Sequence, residues 1–333
     1  MYGLRERVEI QARRHGFARV RFADADALDM HGYDAFLDDG RHASMVWLAS
    51  GRDEREQIAR LLPGVKSVAV LQMDYAQPVP ADPGGLTGRV ASYAWGRDYH
   101  NMIGRRLRKM QRDLQAEVPG LRTYVGVDNR PLYERAWAAR AGLGYAGKNA
   151  CQIMPGEGSL FFLGIIALSE HVESDSPMSD HCGRCRRCID ACPTRAIIAD
   201  GTVDARLCIS YLTIEHDGPI PEELRPQLGR WIFGCDDCQT ICPHQREGQV
   251  GAADFSPVNA WVELSQLVTM SDDEMKARFV GTPIRRAAGE RLRRNAAIVL
   301  GNLGNPAAKD ALERTWKAGG VAGEAAGWSL ARL

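Results

Sequence analysis

Apolar residues recur along this chain with two different periods, and each period predicts a different kind of element. Leu4, Val8 and Ala12 are spaced by four residues and predict an amphipathic helix from Leu4 to His15. Short apolar runs predict strands at Phe17 to Ala23, Ser67 to Met73, Thr123 to Val127 and Leu160 to Leu168. Further helices are predicted at Tyr33 to Asp39, Arg105 to Glu117 and Leu132 to Ala141. Strands that alternate with helices indicate an α/β domain with a central sheet.

Changes in composition divide the chain into three predicted domains. The α/β domain is predicted over residues 1–172, because a polar linker begins at Glu173. Residues 173–250 hold eight of the nine cysteines and predict a metal-binding module. Residues 251–333 are predicted to be helical, and a stretch from Val321 partly echoes the stretch from Pro283. Such an echo indicates a short HEAT-like repeat, although an ordinary helical cap would also produce it.

Charge is balanced over the 333 residues but not along them. From Gly281 to the end there are nine basic residues against four acidic ones. A basic segment suits a polyanion such as a phosphate backbone, and a solvated helical face is the alternative. The longest apolar run is of strand length, so no membrane span is predicted. The chain opens MYGLRERVEI, which has no apolar signal segment, so we expect a cytoplasmic protein.

The cysteine spacing is the most specific signal in the chain. The first run is C-x2-C-x2-C-x3-C followed by Pro193, which is the run of bacterial ferredoxins. In that pattern three thiolates bind one [4Fe–4S] cluster and the fourth binds the other. We therefore expect one cluster on Cys182, Cys185, Cys188 and Cys242, and a second on Cys192, Cys208, Cys235 and Cys238. Zinc and disulfide bonds are alternatives, but they do not require three cysteines spaced two residues apart before C-P.

Three further features outside these runs have an interpretation. Asp128 directly follows a predicted apolar strand, so partial burial is expected to raise its pKa and suit it to donating a proton. The alternative is a helix N-cap or turn ahead of Pro131. The ninth cysteine, Cys151, is interpreted as a packing residue. A glycine-rich turn from Gly142 to Asn149 lacks the spacing of a P-loop, yet would let the backbone approach a large flat ligand.

Several longer stretches of the chain resemble the epoxyqueuosine reductase family. The match covers about residues 15–312, and its discriminating parts are the block from Val127 to Asn149 and the segment from Cys208 to Pro221. The matching stretches are YAWGRDYH (93–100), VDNRPLYERAWAARAGLGYAGKN (127–149), CISYLTIEHDGPIP (208–221), GCDDCQTICP (234–243) and RRAAGERLRRNAAIVLGNLGN (285–305).

The resemblance implies an oxidoreductase that reduces the epoxide of epoxyqueuosine, at the wobble position of tRNA, to queuosine. It implies a cobalamin-binding α/β domain (or α+β in a multidomain chain), a bacterial-ferredoxin-like module with two [4Fe–4S] clusters and a helical HEAT-like tail that binds tRNA. The expected partners are the tRNA anticodon stem-loop and an external one-electron donor such as flavodoxin or ferredoxin. A monomer is expected. The D-x-H-x-x-G motif, which supplies the lower histidine ligand in methyl-transferring cobalamin proteins, is absent. Asp29 and His31 match its first two positions, but Asp34 stands where its glycine would be. A base-off cobalamin without a protein histidine ligand would fit this.

The resemblance also implies roles for individual residues. Asp128 matches the proton donor of the family and Arg55 matches a cobalamin-contacting arginine. Further residues fall in stretches that line the corrinoid in the family, namely Tyr93, Lys148, Ser159, Ser210, Asp236 and Asp237. His216 is expected to face the corrinoid or the RNA. The tail is shorter than in many family members, which bears on how tRNA is held.

Three other functions are compatible with parts of this pattern. A reductive dehalogenase would use the same cofactors on a small halogenated molecule, but would not need a basic tail. A plain ferredoxin-type electron carrier would need only the clusters. An RNA-binding module with structural clusters would have no catalytic carboxylate. Salt-sensitive tRNA binding separates the first of these from the tRNA reductase.

Overall fold

The computed structural model describes residues 2–128 and 130–333, so Asn129 of the Asp128 motif lies outside the described residues. The strands are β1 Arg19–Asp24, β2 Ser67–Asp74, β3 Thr87–Val90, β4 Thr123–Gly126, β5 Tyr145–Ala146, β6 Gln152–Ile153, β7 Phe161–Leu168, β8 Ile197–Ala199, β9 Thr202–Val203, β10 Trp231–Phe233 and β11 Trp261–Glu263. The helices are α1 Leu4–Arg14, α2 His31–Asp38, α3 Arg52–Glu56, α4 Tyr99–Glu117, α5 Glu134–Arg140, α6 Arg187–Ala191, α7 Ile209–Ile214, α8 Asp237–Thr240, α9 Leu264–Leu267, α10 Asp272–Arg278, α11 Glu290–Leu303, α12 Lys309–Ala318 and α13 Gly320–Leu330. Short 3-10 helices cover Val46–Leu48, Ile58–Arg60, Ser92–Ala94, Glu222–Leu224, Pro226–Leu228, Ala253–Phe255, Pro283–Ala287 and Pro306–Ala308.

The central sheet has four strands in the order β1-β2-β7-β4, and each neighbouring pair is antiparallel. The mixed helix and sheet content agrees with the expected fold, but the antiparallel pairing makes the domain α+β rather than α/β. The apolar runs behind the α/β prediction have another cause. Helices cover both faces of the sheet, so β2 is buried over almost its whole length.

Two apolar cores lie on opposite faces of this sheet. On one face α1 and α4 pack against the strands through residues such as Val8, Leu71 and Leu107. On the other face α5 packs through Trp137 against Val70. This three-layer arrangement buries the sheet on both sides and leaves the ends of its strands available for a site.

A second sheet connects the three predicted segments of the chain. Strand β3 lies in its centre, with β10 parallel on one side and β11 antiparallel on the other. The three strands come from residues 87–90, 231–233 and 261–263, one from each predicted segment. Helices α7, α9 and α11 pack on this sheet in the third core of the molecule. The cluster module and the tail are therefore fixed to the first domain by shared backbone hydrogen bonds. Among the described residues, no helix is long and apolar enough to cross a bilayer.

Two arginines of the tail are used inside the fold, and the predicted basic face stays a prediction for the exposed ones. Arg294 is fully buried in α11 and donates to the carbonyl oxygens of Leu212, His216 and Gly218 at 2.6, 2.7 and 2.5 Å. Arg293 pairs with Asp272 at 2.6 Å. These two cations are engaged with an acid or carbonyls of the chain itself, whereas Arg285, Arg314 and Lys317 are exposed.

Replacing Arg294 by methionine should therefore destabilise the protein. The change leaves three buried carbonyl groups without donors, and we expect the free energy of unfolding to fall by about 3–5 kcal/mol in urea denaturation. The control is Arg285→Met, because Arg285 is exposed on the same segment. That change should stay within about 0.5 kcal/mol. Equal effects of the two substitutions would contradict this role of Arg294.

Candidate active site

Asp128 lies two residues beyond the end of β4, in a turn whose backbone is held in an unusual conformation. Its φ is 41°, in the left-handed region that non-glycine residues rarely occupy. The backbone N–H of Asp128 donates to Oε1 of Glu134, the first residue of α5, at 2.6 Å. A strained residue held by a neighbouring carboxylate is a common feature of functional sites. The turn therefore directs the Asp128 carboxyl group away from the sheet and into a cleft.

Two hydrogen-bond donors from the start of α4 contact the Asp128 carboxylate. Nε2 of His100 lies 2.9 Å from Oδ2 of Asp128, and the Tyr99 hydroxyl donates to the same oxygen. The other ring nitrogen of His100 lies 2.8 Å from Oδ1 of Asp98. His100 is therefore held between two carboxylates, with each of its ring nitrogens paired.

This arrangement reverses the pKa that the sequence predicted for Asp128. The Asp128 side chain is 56% exposed. Desolvation by the surrounding protein acts to raise the pKa of this carboxyl, but the hydrogen bonds from His100 and Tyr99 outweigh that effect and lower the pKa. For His100, burial acts to lower the pKa, and the bonds to Asp128 and Asp98 raise it to about 9. At neutral pH the carboxyl is thus ionised and the imidazole is protonated. The acidic proton of the pair is stored on His100 rather than on Asp128.

Glu134 is a second titratable group at the cleft. Burial, reinforced by the charge of Asp128, raises the pKa of Glu134 to about 7. Its carboxyl accepts the backbone N–H of Asp128. Glu134 therefore links the position of the catalytic turn to α5.

Asp128 opens onto a cavity of ≈ 490 Å³, which is within the range of small-molecule sites. One part of its wall is aromatic, and there the Tyr99 and Phe162 rings stack with centroids 4.2 Å apart. The wall comprises Tyr75, Tyr93, Tyr99, Val127, Asp128, Glu134, Arg135, Cys151, Gln152, Ser159, Phe161, Phe162, Leu163 and Gln239. Aromatic faces beside amide and hydroxyl groups suit a large ring with a polar edge.

Buried polar atoms beside this cavity have no partner among the described residues. They include Oε1 of Gln152, which lines the cavity, and Oδ1 of Asp236, whose other oxygen accepts the Ser92 N–H at 2.7 Å. Burial raises the pKa of Asp236 to about 6. Unpaired buried polar groups are costly unless a ligand or water satisfies them. The residues present therefore fit a ligand with hydrogen-bonding groups on its rim, such as the amides of a corrinoid.

Several of the motif cysteines are neighbours in the structure, and the assignment of all eight to two sets stays a prediction. Burial raises the pKa of the Cys188 thiol, and the neighbouring Cys182 and Cys242 thiols add to this effect. Burial likewise raises the pKa of Cys242, with Cys182 and Cys185 as its thiol neighbours. In residues 2–128 and 130–333 no three Cys, His, Asp or Glu side chains converge on a position for one metal ion. A cubane cluster instead receives one thiolate at each of four irons.

The second set lies closer to the cavity. The Cys208 thiol has Cys192 as a neighbour, and the Cys235 thiol has Cys208, with burial as the main cause of the raised pKa of each. Cys151, which lines the cavity, contacts the Cys238 thiol, and this contact raises the pKa of Cys238. The ninth cysteine is thus located between the second cysteine set and the cavity rather than in a remote core.

The other predicted contact residues fall into two groups. Tyr93 and Ser159 line the cavity, and Asp236 lies beside it. The remaining residues are engaged elsewhere among the described residues. Arg55 donates to the Leu48 and Ser50 carbonyls, Lys148 pairs with Asp200 at 3.1 Å, Asp237 accepts from Trp231, Ser210 lies in α7, and His216 contacts the Pro219 carbonyl at 3.0 Å. Their predicted contacts with a cofactor stay predictions.

Sequence reasoning did not assign roles to Tyr99, His100 or Glu134. The predicted helix began at Arg105, whereas α4 begins at Tyr99, because the Asp98 side chain caps it by accepting the backbone N–H of His100. An N-cap aspartate two residues before the histidine was the available signal. Glu134 gave no comparable signal, because its role depends on a turn that only the fold forms.

Comparison with known proteins first identifies the class of protein. Residues 181–245 match the family model described as "4Fe-4S double cluster binding domain". Residues 55–129 match the model "Epoxyqueuosine reductase QueG, DUF1730". Together with the paired cysteine sets beside a cleft, these matches define an oxidoreductase with a double iron–sulfur domain.

Full-length relatives then identify the family. The chain is 41% identical to the epoxyqueuosine reductase of Xanthomonas campestris pv. campestris, over 98% of this chain and 95% of that one. It is 40% identical to the Escherichia coli epoxyqueuosine reductase, over 86% of this chain and 78% of that one. The chain belongs to the epoxyqueuosine reductase family.

Solved structures of the family have the same fold. An epoxyqueuosine reductase crystallised with a tRNA-Tyr epoxyqueuosine-modified stem loop matches with a TM-score of 0.88 at 28% identity, covering 99% of this chain and 90% of that one. The Bacillus subtilis epoxyqueuosine reductase, solved with its catalytic aspartate loop swung out of the active site, matches with a TM-score of 0.87 at 27% identity and the same coverage.

The charge pairing around His100 predicts a measurable shift. Asp98→Asn keeps the N-cap, because asparagine caps helices about as well as aspartate, but removes one carboxylate from His100. The imidazole pKa should therefore fall from about 9, as followed by NMR titration of its ring protons. Because the folded pKa exceeds the unfolded one, His100 stabilises the fold fully below pH 6.5, and this stabilisation is lost as the pH rises through about 9.

The matched control is Asp113→Asn on the same helix, since Asp113 pairs with His15 instead. The Asp113 variant should leave the imidazole pKa of His100 unchanged. An unchanged His100 midpoint in the Asp98 variant would show that this carboxylate does not hold the proton.

Proposed function

We propose that this enzyme reduces the epoxide of epoxyqueuosine, at the wobble position of a tRNA anticodon, to queuosine. The observation that carries the proposal is the Asp128 carboxylate, paired with two proton-bearing side chains at the mouth of a cavity that adjoins a cysteine set. A relative of the same fold was crystallised with an epoxyqueuosine-modified tRNA stem loop, which supports the choice of substrate. Family membership at about 40% identity supports the same reaction.

Two [4Fe–4S] clusters and a cobalamin are the cofactors that these residues would hold. Cys182, Cys185, Cys188 and Cys242 would bind one cluster, and Cys192, Cys208, Cys235 and Cys238 the other. The aromatic wall and the unpaired oxygens of Gln152 and Asp236 would receive the corrinoid. When bound, the cobalamin would supply low-valent cobalt as the reductant for the epoxide carbon.

The contacts between cysteines support an order of electron transfer. Cys238 of the second set touches Cys151 at the cavity, so the second cluster would be the nearer one. The first set lies in a loop with exposed arginines, among them Arg184 and Arg187, where an external one-electron donor could dock. A small acidic carrier such as a flavodoxin or ferredoxin has suitable charge for this surface. The chain is proposed to act as a monomer.

The proton supply follows from the site geometry. Conversion of an epoxide to an alkene consumes two electrons and two protons and releases one water. Because Asp128 is ionised at rest, it would act as a relay: protonated His100, with its pKa of about 9, would give its proton to the carboxylate across the 2.9 Å contact as Asp128 protonates the opening epoxide oxygen. The Tyr99 hydroxyl keeps the carboxylate oriented throughout. A carboxylate with a low pKa can serve as donor here because a protonated imidazole lies against it.

The helical tail and α4 offer different surfaces to RNA. The HEAT-like character of α11 to α13 stays a proposal, and most arginines of α11 are engaged within the chain. In α4, exposed basic side chains recur at helical spacing from the catalytic end outward, namely Arg105, Arg108, Lys109 and Arg112. Positive charge that leads away from the catalytic end would suit the phosphates of the anticodon stem.

Asp128→Asn tests the reaction and its proton donor together. We expect turnover to fall by about 10²–10⁴-fold, because asparagine cannot pass on a proton, while iron and corrinoid content stay unchanged. The measurement is nucleoside mass spectrometry of tRNA from cells that lack the reductase, after incubation with reduced enzyme. Asp24→Asn is the control, since Asp24 also ends a strand of the same sheet but pairs with Arg140. Epoxyqueuosine that persists with fully loaded wild-type enzyme would overturn the function.

Iron content tests the ligand sets. Cys238→Ser should lower the iron content from about eight to about four atoms per chain, because one [4Fe–4S] cluster loses a ligand. Cys151→Ser should keep about eight, since Cys151 is proposed to touch a ligand without being one. Loss of iron from the Cys151 variant alone would contradict the proposed sets.

A further inference from the structure

Near the Asp128 turn, an exposed tryptophan and an arginine from distant parts of the chain lie against each other. Trp47 lies in the 3-10 turn Val46–Leu48 and is 43% exposed, beside Val46, which is 67% exposed. Arg286 lies in the 3-10 turn Pro283–Ala287. Its guanidinium carbon is 5.4 Å from the centroid of the Trp47 ring. The proton-transfer chemistry of the site uses neither side chain.

Each of the two segments adjoins an element of the active site. Gly51, just after the Trp47 turn, lies so close to Pro131 that a Cβ there would come within 2.7 Å of the proline Cβ. The Trp47 segment therefore adjoins the Asp128 turn. The carbonyl of Gly281 accepts the N–H of Asp98 at 2.8 Å, which connects the Arg286 segment to the start of α4.

Electrostatics agrees with this placement. Burial and the His100 and Tyr99 hydrogen bonds dominate the pKa of Asp128, and the charge of Arg286 lowers it further. Arg286 is thus near enough to the reacting carboxylate to act on it, although it belongs to the helical tail. It is the tail arginine that approaches the site, whereas Arg294 is buried beneath it.

The Trp47 segment and the Arg286 segment are both attached to one element, α7. Arg286 donates to Glu215, the C-cap of α7, through Nε at 2.5 Å and Nη2 at 3.1 Å. Ser44, ahead of the Trp47 turn, lies 2.8 Å from the Tyr211 hydroxyl of α7 through its Oγ. The Trp47 and Arg286 planes are therefore held in place before any ligand arrives, which lowers the entropy cost of binding.

We propose that Trp47 and Arg286 form a stacking clamp for an unpaired anticodon-loop nucleotide next to the wobble base. This inference rests on the proposed function, because it assigns the clamp to the same tRNA substrate. Proteins read single-stranded RNA by stacking its bases on aromatic rings and on arginine planes. Such stacking needs no base-specific hydrogen bond. The clamp holds the neighbouring nucleotide while the modified base enters the cavity.

Stem-loop binding to the holoenzyme tests the clamp. Trp47→Ala should raise the Kd for an epoxyqueuosine-bearing anticodon stem-loop by about 5- to 150-fold, the range of one lost base–aromatic stack. The loss should appear in KM more than in kcat. Trp47→Phe should restore most of the affinity and Trp47→Leu should not, because only the aromatic ring stacks. Trp316→Ala is the matched control, since Trp316 is 56% exposed on α12, and it should bind like wild type.

Salt dependence separates the two members of the clamp. Arg286→Gln removes a positive charge as well as a stacking plane, and since Arg286 would also neutralise the phosphate of the clamped nucleotide, the slope of log Kd against log salt should fall by about 0.7. Trp47→Ala should leave that slope unchanged. The double variant should lose less affinity than the two single losses combined, because each residue supports the other.

Three results would overturn the clamp. The first is wild-type stem-loop affinity in Trp47→Ala, and the second is loss of bound corrinoid in that variant with RNA affinity intact, which would assign Trp47 to the cofactor. The third is an equal loss in Trp316→Ala. Failure of the loaded wild-type enzyme to reduce epoxyqueuosine would overturn the proposed function instead, and the stem-loop Kd values would still decide the clamp.

Discussion

The active site depends on Asp98, which makes three different connections, two through its carboxylate and one through its backbone. One carboxylate oxygen accepts the backbone N–H of His100 and so begins α4. The same oxygen lies 2.8 Å from the imidazole of His100 and fixes the ring toward Asp128. The backbone N–H of Asp98 donates to Gly281, which attaches the tail segment to the same point. A helix start, a proton store and an interdomain contact thus share one residue.

The pairing of His100 with two carboxylates changes how proton donation at this site is understood. A lone buried aspartate would be a donor because burial raises its pKa. Here Asp128 is ionised, and the proton resides on the adjacent imidazole at physiological pH. Such a pair can deliver a proton to a developing alkoxide and still be recharged from solvent through His100. The left-handed backbone of Asp128 and its hydrogen bond to Glu134 keep the Asp128 turn in position beside His100.

Cys151 lies between the second cysteine set and the cavity that holds Asp128. It lines the cavity on one side and touches Cys238 on the other, so the second cysteine set lies against the cavity wall. Asn149 reinforces this junction by donating to the Cys238 carbonyl at 3.0 Å. The glycine-rich turn from Gly142 to Asn149, which the sequence marked as a close-approach segment, brings its backbone against the cluster module. Small residues are needed there, since a Cβ on Gly147 would overlap the Ile153 side chain.

The sequence by itself determined the local and strongly patterned features of this protein. Cysteine spacing predicted two thiol sets, because a short loop can reach only one side of a cluster. Apolar runs predicted the strands of the central sheet to within a few residues, and they predicted α1, α4 and α5, although α4 begins at Tyr99 rather than Arg105. Asp128 was found because it follows an apolar strand.

Only the tertiary structure decided the antiparallel order of the central sheet, since β2 and β7 are buried on both faces and give the same apolar run in either orientation. The tertiary structure also decided which charged side chains are buried and which border the site. Arg294 and Arg286 look alike in the sequence, yet one is buried under three carbonyls and the other borders the site, because the partners that separate them lie about 70 to 80 residues away in the chain.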